Sequence, residues 1–409
     1  MRGMKNSGVG WLGCVPSGWN ILRIANLYCE RNESGSDDLP ILSVSINSGI
    51  SDHEIEDEEQ TRKFVRSEDR SMYKKVYPGD LAYNMMRAWQ GAFGAVRTDG
   101  MISPAYVVAR PKEGVEVDSR YMEALLRTPS AIKEMHRYSR GITDFRLRLY
   151  WPEFKNIQVC VPPIEEQKEI ADFLDKEITN IDDAIDQTRA SIEEYKKLKQ
   201  AVITQAVTKG IRPDRQMKDS GIEWMGTIPA SWSIAALKHL CSMQSGKNIT
   251  SEQISESGDY PVFGGNGQRG FFTDYNCEGK RLLVGRQGAL CGNVHRVGGK
   301  FWATEHAVIT DSTSICNMDY LYYLLVGMNL NQYVSSTAAQ PGLAVSTIQN
   351  VRTCIPPLAE QMEIADYLDL KCLKIDALIE QKKYIVAELE SYKKSLIYDY
   401  VTGKKEVAV

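Results

Sequence analysis

The sequence lacks any apolar run that approaches the ~18 residues of a membrane-spanning helix. Its first residues, MRGMKNSGVGWLG, also lack the uninterrupted apolar core of a secretory signal. These absences argue against a membrane protein and lead us to expect a soluble, cytoplasmic one. With 409 residues the chain has room for two to four domains of ordinary size.

Paired cysteine motifs are also missing. The nine cysteines include no Cys-x-x-Cys spacing, and in a cytoplasmic protein they are expected to be reduced packing residues. Cys277, Cys291, His295 and His306 could be drawn together as a zinc site, but their spacings match no standard structural zinc pattern. We therefore predict no metal site.

An excess of positive charge is lacking. The chain has 49 Lys and Arg against 53 Asp and Glu, which gives a net charge of −4. A protein that coats nucleic acid through its overall positive potential has the opposite balance. This balance leaves open a protein that reads a DNA sequence with locally concentrated charge, or one that acts beside other subunits.

Catalytic motifs are lacking as well. Gly246-Lys247 is not followed by the Ser or Thr that completes a P-loop. Val161 and Ile355 precede the two Pro-Pro pairs, where an amino-methyltransferase needs a polar residue to hold the target amine. Asp214 and Glu223 resemble part of a nuclease acidic pair, but the required lysine does not follow. We predict no catalytic residue, and hence a binding or targeting protein.

A tandem duplication is the main feature that is present. The segment CVPPIEEQKEIADFLD, Cys160 to Asp175, returns as CIPPLAEQMEIADYLD, Cys354 to Asp369, with eleven of sixteen positions identical at an offset of 194 (354 − 160). A second pair, GVGWLGCVPSGW (Gly8 to Trp19) and GIEWMGTIPASW (Gly221 to Trp232), has an offset of 213 (221 − 8). A repeat of this length predicts two structurally similar halves related by a pseudo-twofold axis.

Each half consists of a variable module followed by a long helix. We predict modules over residues 1–155 and 213–349 and helical regions over residues 156–212 and 350–409. Short β-rich runs broken by glycine and polar turns indicate that each module is a mixed α/β globule. The predicted fold class is therefore α+β or mixed, with two α/β domains separated by two long antiparallel helices.

The helical regions carry a heptad pattern. From Glu165 to about Ala206 the first helix would be ~60 Å long at ~1.5 Å per residue. Lys199, Lys382 and Lys393 interrupt the pattern. Either the helices pack as core on adjacent domains, or they pair as an antiparallel intramolecular coiled coil, which their equal length and register favour. The predicted helix-pairing residues are apolar: Leu174, Ile178, Ile181, Ile185, Ile192, Leu368, Ile375, Ile379, Val386 and Leu389.

Two segments of the first module are candidates for DNA contact. In residues 84–90, Asn84, Arg87 and Gln90 are of the types that read adenine and guanine edges bidentately, although buried hydrogen-bonding roles would explain them equally well. Residues 120–150 form a basic patch, for which an exposed charged face is the alternative. Its basic residues are Arg120, Arg127, Lys133, Arg137, Arg140, Arg146 and Arg148. The acidic stretch Glu54 to Glu59 is not expected to face DNA.

Two glycine-rich loops of the second module are candidates as well. They are Phe263 to Gly270 and Gly285 to Asn293, and glycine lets the backbone approach a ligand closely. Phe263 to Gly267 is also similar to the glycine loop of S-adenosylmethionine-dependent methyltransferases, but no partner motif supports that reading. The polar candidates in these loops are Asn266, Gln268, Arg269, Arg286, Gln287 and Asn293.

Together these motifs resemble the specificity subunits of type I restriction-modification systems over nearly the whole chain. The resemblance is carried by GIEWMG and IPASW at residues 221–232, QPGLAVS at residues 340–346 and IPPLAEQ at residues 355–361. The first half matches through WLG, PSGW and PPIEEQ. It carries YSRGIT at residues 138–143 in place of the QPGL motif, a difference that fits two separate DNA targets.

The resemblance implies two target-recognition domains that each read one half of a bipartite double-stranded DNA site, with the helices setting the gap. It further implies a non-catalytic subunit that binds two methyltransferase subunits, joined in the complete complex by two restriction and translocation subunits. S-adenosylmethionine would be bound by the methyltransferase, so no cofactor is expected in this chain. The alternatives are a specificity subunit of another modification-based defence system, or a coiled-coil adaptor without base readout.

Overall fold

The computed structural model describes residues 2–46, 49–54, 70–141, 147–287, 291–334 and 342–407. These residues form two compact units: unit 1 contains residues 1–187 and 385–409, and unit 2 contains residues 188–384. The α-helices are α1 (Ile24–Leu27), α2 (Ser119–Leu126), α3 (Pro129–Tyr138), α4 (Trp151–Phe154), α5 (Ile164–Lys209), α6 (Met318–Gly327), α7 (Val345–Asn350) and α8 (Leu358–Val401). The predicted division into four segments is a finer one and stays a prediction.

The two long helices, α5 and α8, confirm the main prediction of the heptad pattern. Each begins directly after a Pro-Pro pair, because the residue before a proline avoids the helical region. Glu165, Glu166 and Glu360 lie in the first turns, where negative charge is favourable. At 46 residues α5 is ~69 Å long. Gly210 and Gly403 follow the helices with φ of 74° and 69°, the left-handed conformation that ends a helix.

The module of unit 1 is built around an antiparallel sheet. Its central sheet has the strand order β4-β11-β8-β9, and two-stranded ladders join β1 to β2, β3 to β12, β5 to β6 and β7 to β10. The strands are β1 (Met4–Asn6), β2 (Cys14–Pro16), β3 (Asn20–Arg23), β4 (Tyr28–Arg31), β5 (Val44–Ser45), β6 (Gly49–Ile50), β7 (Lys74–Val76), β8 (Leu81–Asn84), β9 (Phe93–Ala95), β10 (Gly100–Ile102), β11 (Tyr106–Pro111) and β12 (Gln158–Val161).

The module of unit 2 has a central sheet of order β16-β23-β20-β21. A second sheet has the order β18-β17-β22-β19, and ladders join β13 to β14 and β15 to β24. The strands are β13 (Met217–Asp219), β14 (Thr227–Pro229), β15 (Ser233–Ala236), β16 (Cys241–Ser245), β17 (Tyr260–Gly264), β18 (Gly267–Phe272), β19 (Cys277–Glu278), β20 (Arg281–Gly285), β21 (Val294–Val297), β22 (Lys300–Ala303), β23 (Ala307–Ser312) and β24 (Arg352–Ile355).

The central sheets of the two modules have the same topology. In unit 1 the end of β8 places Asn84 opposite Tyr106 at the start of β11. In unit 2 the end of β20 places Gly285 opposite Ala307 at the start of β23. The outer strand β4 pairs antiparallel with β11 in unit 1, as the outer strand β16 pairs antiparallel with β23 in unit 2. The mixed α/β prediction is therefore confirmed, and the modules share a central sheet that their diverged sequences conceal, although only unit 2 has a second four-stranded sheet among the described residues.

The two repeated segments of each half contact each other. In unit 1 the Nε1 of buried Trp19 donates a hydrogen bond to the Oε2 of Glu166, at 3.0 Å. In unit 2 the Nε1 of buried Trp232 donates to the Oε2 of Glu360, at 3.1 Å. Each contact fastens a module to the first turns of a long helix. Because both partners of this contact lie in repeated segments, the contact recurs while the residues between them differ.

Cys160 and Cys354 connect each module to the end of a long helix. The thiol of Cys160 lies 3.4 Å from the carbonyl oxygen of Val401 in unit 1, and that of Cys354 lies 3.1 Å from the carbonyl oxygen of Val207 in unit 2. These thiols donate to carbonyls in the last helical turn, some of which have no partner within the helix. Burial raises the pKa of both thiols to about 12. Both cysteines are buried packing residues, as predicted.

Segments of α5 and α8 pack side by side in each unit. In unit 1, Ile181 and Ile185 of α5 share a core with Leu396 of α8, and Ile178, Val386 and Leu389 pack against it. In unit 2, Ile192, Ile375 and Ile379 form a cluster of their own. Leu174 and Leu368 lie in the main core of unit 1 and of unit 2, respectively. Among the described residues, no helix is both long and apolar enough to cross a membrane.

Candidate nucleic-acid interface

The first candidate surface is the turn that follows β8 in unit 1. The Oδ1 of Asn84 accepts a hydrogen bond from the backbone N–H of Met86, at 2.9 Å, and so shapes the turn. The Nε1 of Trp89 donates to the carbonyl of Met86 at 3.0 Å, and its ring lies edge-on to His136. Arg87 and Gln90 are left exposed. Asn84 therefore has a structural role and is half-buried.

A second segment of unit 1 lies beside this turn. The backbone N–H of Leu149 donates to the carbonyl of Met85, at 2.8 Å. Next to it, Arg140 and Arg148 exchange two backbone hydrogen bonds of 2.9 Å, and both side chains are exposed. The structure thus brings Arg148 close to the turn at residues 84–90. Arg146 lies outside the described residues, as do residues 55–59 of the acidic stretch.

The expected basic patch at residues 120–150 is largely neutralised, which corrects the prediction. Four of its six described cations form ion pairs with carboxylates: Arg120 with Asp118 and Asp172, Arg127 with Glu123, Arg137 with Glu134, and Arg140 with Glu153. Most of these partners belong to the same helices or to α5, so helix formation brings opposite charges together. Among the described residues of this segment, which exclude residues 142–146, a continuous strip of uncompensated positive charge therefore does not form.

In unit 2 the two glycine-rich loops come together. The first forms the tip of the β17–β18 hairpin, and Gly267 has a φ of 105° there. A Cβ on Gly265 would lie 2.9 Å from the carbonyl oxygen of His306 and 3.3 Å from the Cα of Gly285. Glycine is therefore needed at position 265 for this close approach. The contact places exposed Asn266 beside the second loop.

Arg286 is the centre of the second loop. Its backbone N–H donates to the carbonyl of His306, and its carbonyl accepts from the N–H of Leu343, both at 2.9 Å. Its Nη1 donates to the Oγ of Ser245 at 3.3 Å. The thiol of Cys291 also donates to the carbonyl of Arg286, at 3.1 Å. This thiol therefore has a structural role, and no group of metal-ligating residues is found in the part of the chain that the structure describes.

The remaining candidates of unit 2 lie on two elements. Gln287 forms an isolated bridge with Gly342, and the carbonyl of Asn293 accepts from the N–H of Gly285 at 2.9 Å, so both lie beside Arg286. Gln268 and Arg269 lie on β18 and are exposed. The arrangement brings together Asn266, Arg286, Gln287 and Asn293, whereas Gln268 and Arg269 face solvent from the hairpin strand.

The candidate surfaces of the two units occupy the same place in the fold. In unit 1 the surface follows β8, and in unit 2 it follows β20, the corresponding inner strand of the central sheet. In unit 1 the carbonyl of Met85 accepts from Leu149, and in unit 2 the carbonyl of Arg286 accepts from Leu343, which stands 194 positions after Leu149 (343 − 149). The backbone is thus held in the same way in both units, while the exposed side chains differ. Residues 335–341, with the first two of the QPGL motif, lie outside the described residues.

Sequence reasoning missed several polar residues at these surfaces. Tyr106 lies opposite Asn84, and Glu305 and His306 precede β23 beside Arg286. Exposed Lys247 lies next to the same turn, since its N–H donates to the carbonyl of Ala303 at 3.0 Å. The polar dipeptide Glu305-His306, directly before the apolar run of β23, was a signal that could have identified two of them. The strand was recognisable from the sequence, but its position beside the glycine-rich loops was not.

The side chains gathered at these surfaces are suited to base recognition. Arg pairs with guanine, and Asn and Gln pair with adenine, through two hydrogen bonds in the major groove. Exposed loops set on a rigid sheet are also where binding residues commonly lie. Whether the candidate side chains contact bases stays a prediction, and so does the role of the helix-pairing residues.

Comparison with known proteins shows a consistent pattern. The sequence model of the family described as "Type I restriction modification DNA specificity domain" matches residues 102–194 and 229–390, more than half of the chain. The specificity subunit of the type I restriction enzyme EcoprrI from Escherichia coli is 45% identical over 137 residues, which cover 32% of this chain and 34% of that protein. The MjaVIII specificity subunit from Methanocaldococcus jannaschii is 24% identical over 429 residues, covering 96% and 94%.

Two solved structures have a similar fold. One is a chain from a study of complex assembly and conformational transition of the type I R-M system, with a TM-score of 0.73 and 16% identity. The structural alignment covers 96% of the present chain and 99% of the matched chain. The other is the HsdS subunit from Thermoanaerobacter tengcongensis, with a TM-score of 0.54, 16% identity and coverage of 96% and 98%. At these identities the likeness concerns the fold.

Proposed function

Because the chain belongs to the type I restriction-modification DNA specificity family, we propose that it selects the DNA sequence on which a type I restriction-modification complex acts. The observation that carries this proposal is the paired arrangement of the modules. Two units with the same central-sheet topology present loops at the same place, held by matched backbone hydrogen bonds and carrying different polar side chains. Two units with similar backbones and different exposed side chains fit a DNA site with two dissimilar halves.

Each unit then reads one half of a bipartite double-stranded DNA site. The paired helices α5 and α8 set the number of unspecified base pairs between the half-sites. This role is supported by the ~69 Å length of α5, which exceeds the ~34 Å of one DNA turn. Helices of this kind are also where two methyltransferase subunits would dock, and two restriction and translocation subunits would complete the complex.

The chain itself would act without catalysis and without a cofactor. The sequence holds no complete P-loop and no polar residue before its Pro-Pro pairs, which supports this part of the proposal. S-adenosylmethionine would bind to the methyltransferase partner. Calorimetric titration of the isolated chain with S-adenosylmethionine tests this directly. We expect no binding heat, and saturable binding would point instead to a self-contained methyltransferase.

The decisive test is a map of methylated bases in the host genome by single-molecule sequencing. Deletion of this gene should remove methylation at one bipartite motif, and complementation should restore it. Unchanged methylation in the deletion strain would contradict the proposal. A binding experiment in vitro distinguishes the proposal from a coiled-coil adaptor without base readout. At moderate salt, an adaptor of that kind, purified with its partners, would retain duplex DNA of the motif no better than scrambled DNA.

A further inference from the structure

A short turn before the central strand of unit 2 lies at the meeting point of its loops. The turn consists of Thr304, Glu305 and His306. Arg286 donates its backbone N–H to the carbonyl of His306 at 2.9 Å, and Gly265 lies against the same carbonyl. A Cβ on Gly246 would come within 2.3 Å of the carbonyl oxygen of Thr304. Three loops therefore enclose this turn and fix its position.

Unit 1 has the same turn with different side chains. The N–H of Tyr106 donates to the carbonyl of Ser103 at 3.0 Å, as that of Ala307 donates to the carbonyl of Thr304 at 3.0 Å. The hydroxyls of Ser103 and Thr304 also accept equivalent backbone bonds at 3.4 Å. Between these matched ends unit 1 has Pro-Ala where unit 2 has Glu-His. The turn does not require acidic or imidazole side chains, so Glu305 and His306 need another explanation.

The carboxylate of Glu305 is incompletely paired. Its Oε1 lies 3.1 Å from the Nε2 of His306, which is within ion-pair distance. Its Oε2 is shielded from solvent, yet it accepts no hydrogen bond from any described residue. A covered acceptor in this condition is less stable than one that accepts a hydrogen bond, and more so when it is charged. About a third of the Glu305 side chain, 35%, is exposed, so the carboxylate lies at the surface and a ligand would approach it from its exposed side rather than through the covered Oε2.

The charge of Glu305 restricts what that ligand can be. A carboxylate repels phosphate, so at a DNA surface it is favourable only where it meets a hydrogen-bond donor. In the major groove the base donors are the N4 amino group of cytosine and the N6 amino group of adenine. Nearby Lys247 is exposed and supplies positive charge that can hold the backbone of the same DNA. The turn therefore has the chemistry of a base reader set beside a phosphate-binding residue.

We propose that Glu305, on the turn that the loops of unit 2 enclose, determines specificity in unit 2 by accepting a hydrogen bond from an exocyclic amino group of a base. The base is cytosine or adenine at one position of the half-site that unit 2 reads. This inference rests on the proposed function. It adds a negatively charged reader to a surface for which the sequence suggested amides and arginines.

The test uses the complex reconstituted with its methyltransferase partner and a library of duplexes with both half-sites randomised. Glu305→Gln has nearly the same shape but replaces one acceptor oxygen with a donor. We expect the preference for the amino-bearing base to fall roughly 5- to 150-fold at one position of one half-site, the range for loss of a good base contact. The library itself identifies that base as cytosine or adenine. Glu256→Gln, an exposed carboxylate of the same unit, should leave every position unchanged.

The half-site of unit 1 serves as the internal control for folding. A folded Glu305→Gln complex keeps that half-site, and Glu305→Ala should reduce the same single position as Glu305→Gln. Retention of all wild-type base preferences in both variants would overturn the inference. A wild-type complex that shows no bipartite preference would instead overturn the proposed function, so the two failures are distinguishable.

Discussion

Lys199 donates from its Nζ to both carboxylate oxygens of Asp376, at 2.7 and 2.6 Å, across the paired helices of unit 2. Lys393 and Asp182 repeat this contact in unit 1, at 2.7 Å to both oxygens. Lys393 stands 194 positions after Lys199, and Asp376 stands 194 positions after Asp182, so the repeat offset relates the two ion pairs (393 − 199 and 376 − 182). Lys199 and Lys393 interrupt the heptad pattern, so the antiparallel helices form ion pairs at these interruptions. The ion pairs thereby mark the register of the helix pair.

Reversing one of these charges should weaken the helix pair. Lys199→Glu places two carboxylates together, and we expect a loss of about 1 kcal/mol in the free energy of unfolding, because the pair is half-exposed. The double exchange Lys199→Glu with Asp376→Lys should recover most of it. Urea unfolding measures both. The control is Lys176→Glu, at an exposed position of α5. Equal losses in the free energy of unfolding from Lys199→Glu and Lys176→Glu would refute a specific pairing of Lys199 with Asp376.

Glu360 should be far more sensitive than its neighbour Glu363. Buried Glu360 accepts from the Nε1 of Trp232 and pairs with Arg215, so Glu360→Ala leaves two donors without an acceptor. We expect a loss of about 3–5 kcal/mol, and a smaller loss for Glu360→Gln. Glu363 pairs with Arg212 on the surface, where 45% and 54% of the side chains are exposed, so Glu363→Ala should cost less than about 1 kcal/mol. Similar melting temperatures for the two alanine variants would contradict this ranking.

Stability should fall at alkaline pH because of the buried thiols. The pKa of Cys160 and that of Cys354 are about 12 in the folded protein, against about 8.5 for an unfolded thiol. Above pH 8.5 the unfolded state therefore loses protons first, and the stabilisation is lost progressively as pH rises towards 12. We expect on the order of 1 kcal/mol per thiol at pH 9.5 relative to pH 7.5. The variant Cys160→Ala with Cys354→Ala should have a correspondingly flatter pH dependence in urea unfolding.

Lengthening the helix pair should change the spacer of the recognised site. A second copy of residues 192–198 in α5, combined with a second copy of residues 377–383 in α8, preserves the antiparallel register and adds ~10 Å to each helix. At ~3.4 Å per base pair we expect a spacer about three base pairs longer and unchanged half-sites. Genome-wide mapping of methylated bases reads both properties. Altered half-sites with the original spacer would contradict the role of the helices.

Matched substitutions in the two units should separate the two half-sites. Arg286→Ala should weaken base preference only in the half-site read by unit 2, and Arg87→Ala only in the half-site read by unit 1. Loss of a bidentate base contact corresponds to about 1–3 kcal/mol. Methylation of randomised duplexes by the reconstituted complex measures this. If each variant weakened both half-sites equally, the residue would be contributing to phosphate binding or folding instead.

The basic patch shows where reading the sequence failed. The cations in residues 120–150 were visible in the sequence, but their ion pairs were not. Three of the carboxylate partners, Asp118, Asp172 and Glu153, lie outside that segment, and the other two lie one helix turn from their arginines. Asp172, which pairs with Arg120, is 52 positions away. The number of charges in a segment does not report which of them folding neutralises. The same limit hid Glu305, whose surroundings come from segments around residues 246, 265 and 286.

The sequence by itself determined the features that depend on local periodicity and on the repeat. The Pro-Pro starts, the heptads and the duplicated segments predicted two long helices and two similar halves, because such patterns act between residues close in the chain. Tertiary structure decided the rest. The shared central sheet, the meeting of the glycine loops and the surroundings of Glu305 depend on contacts between distant residues, and those contacts are fixed only when the sheets pack.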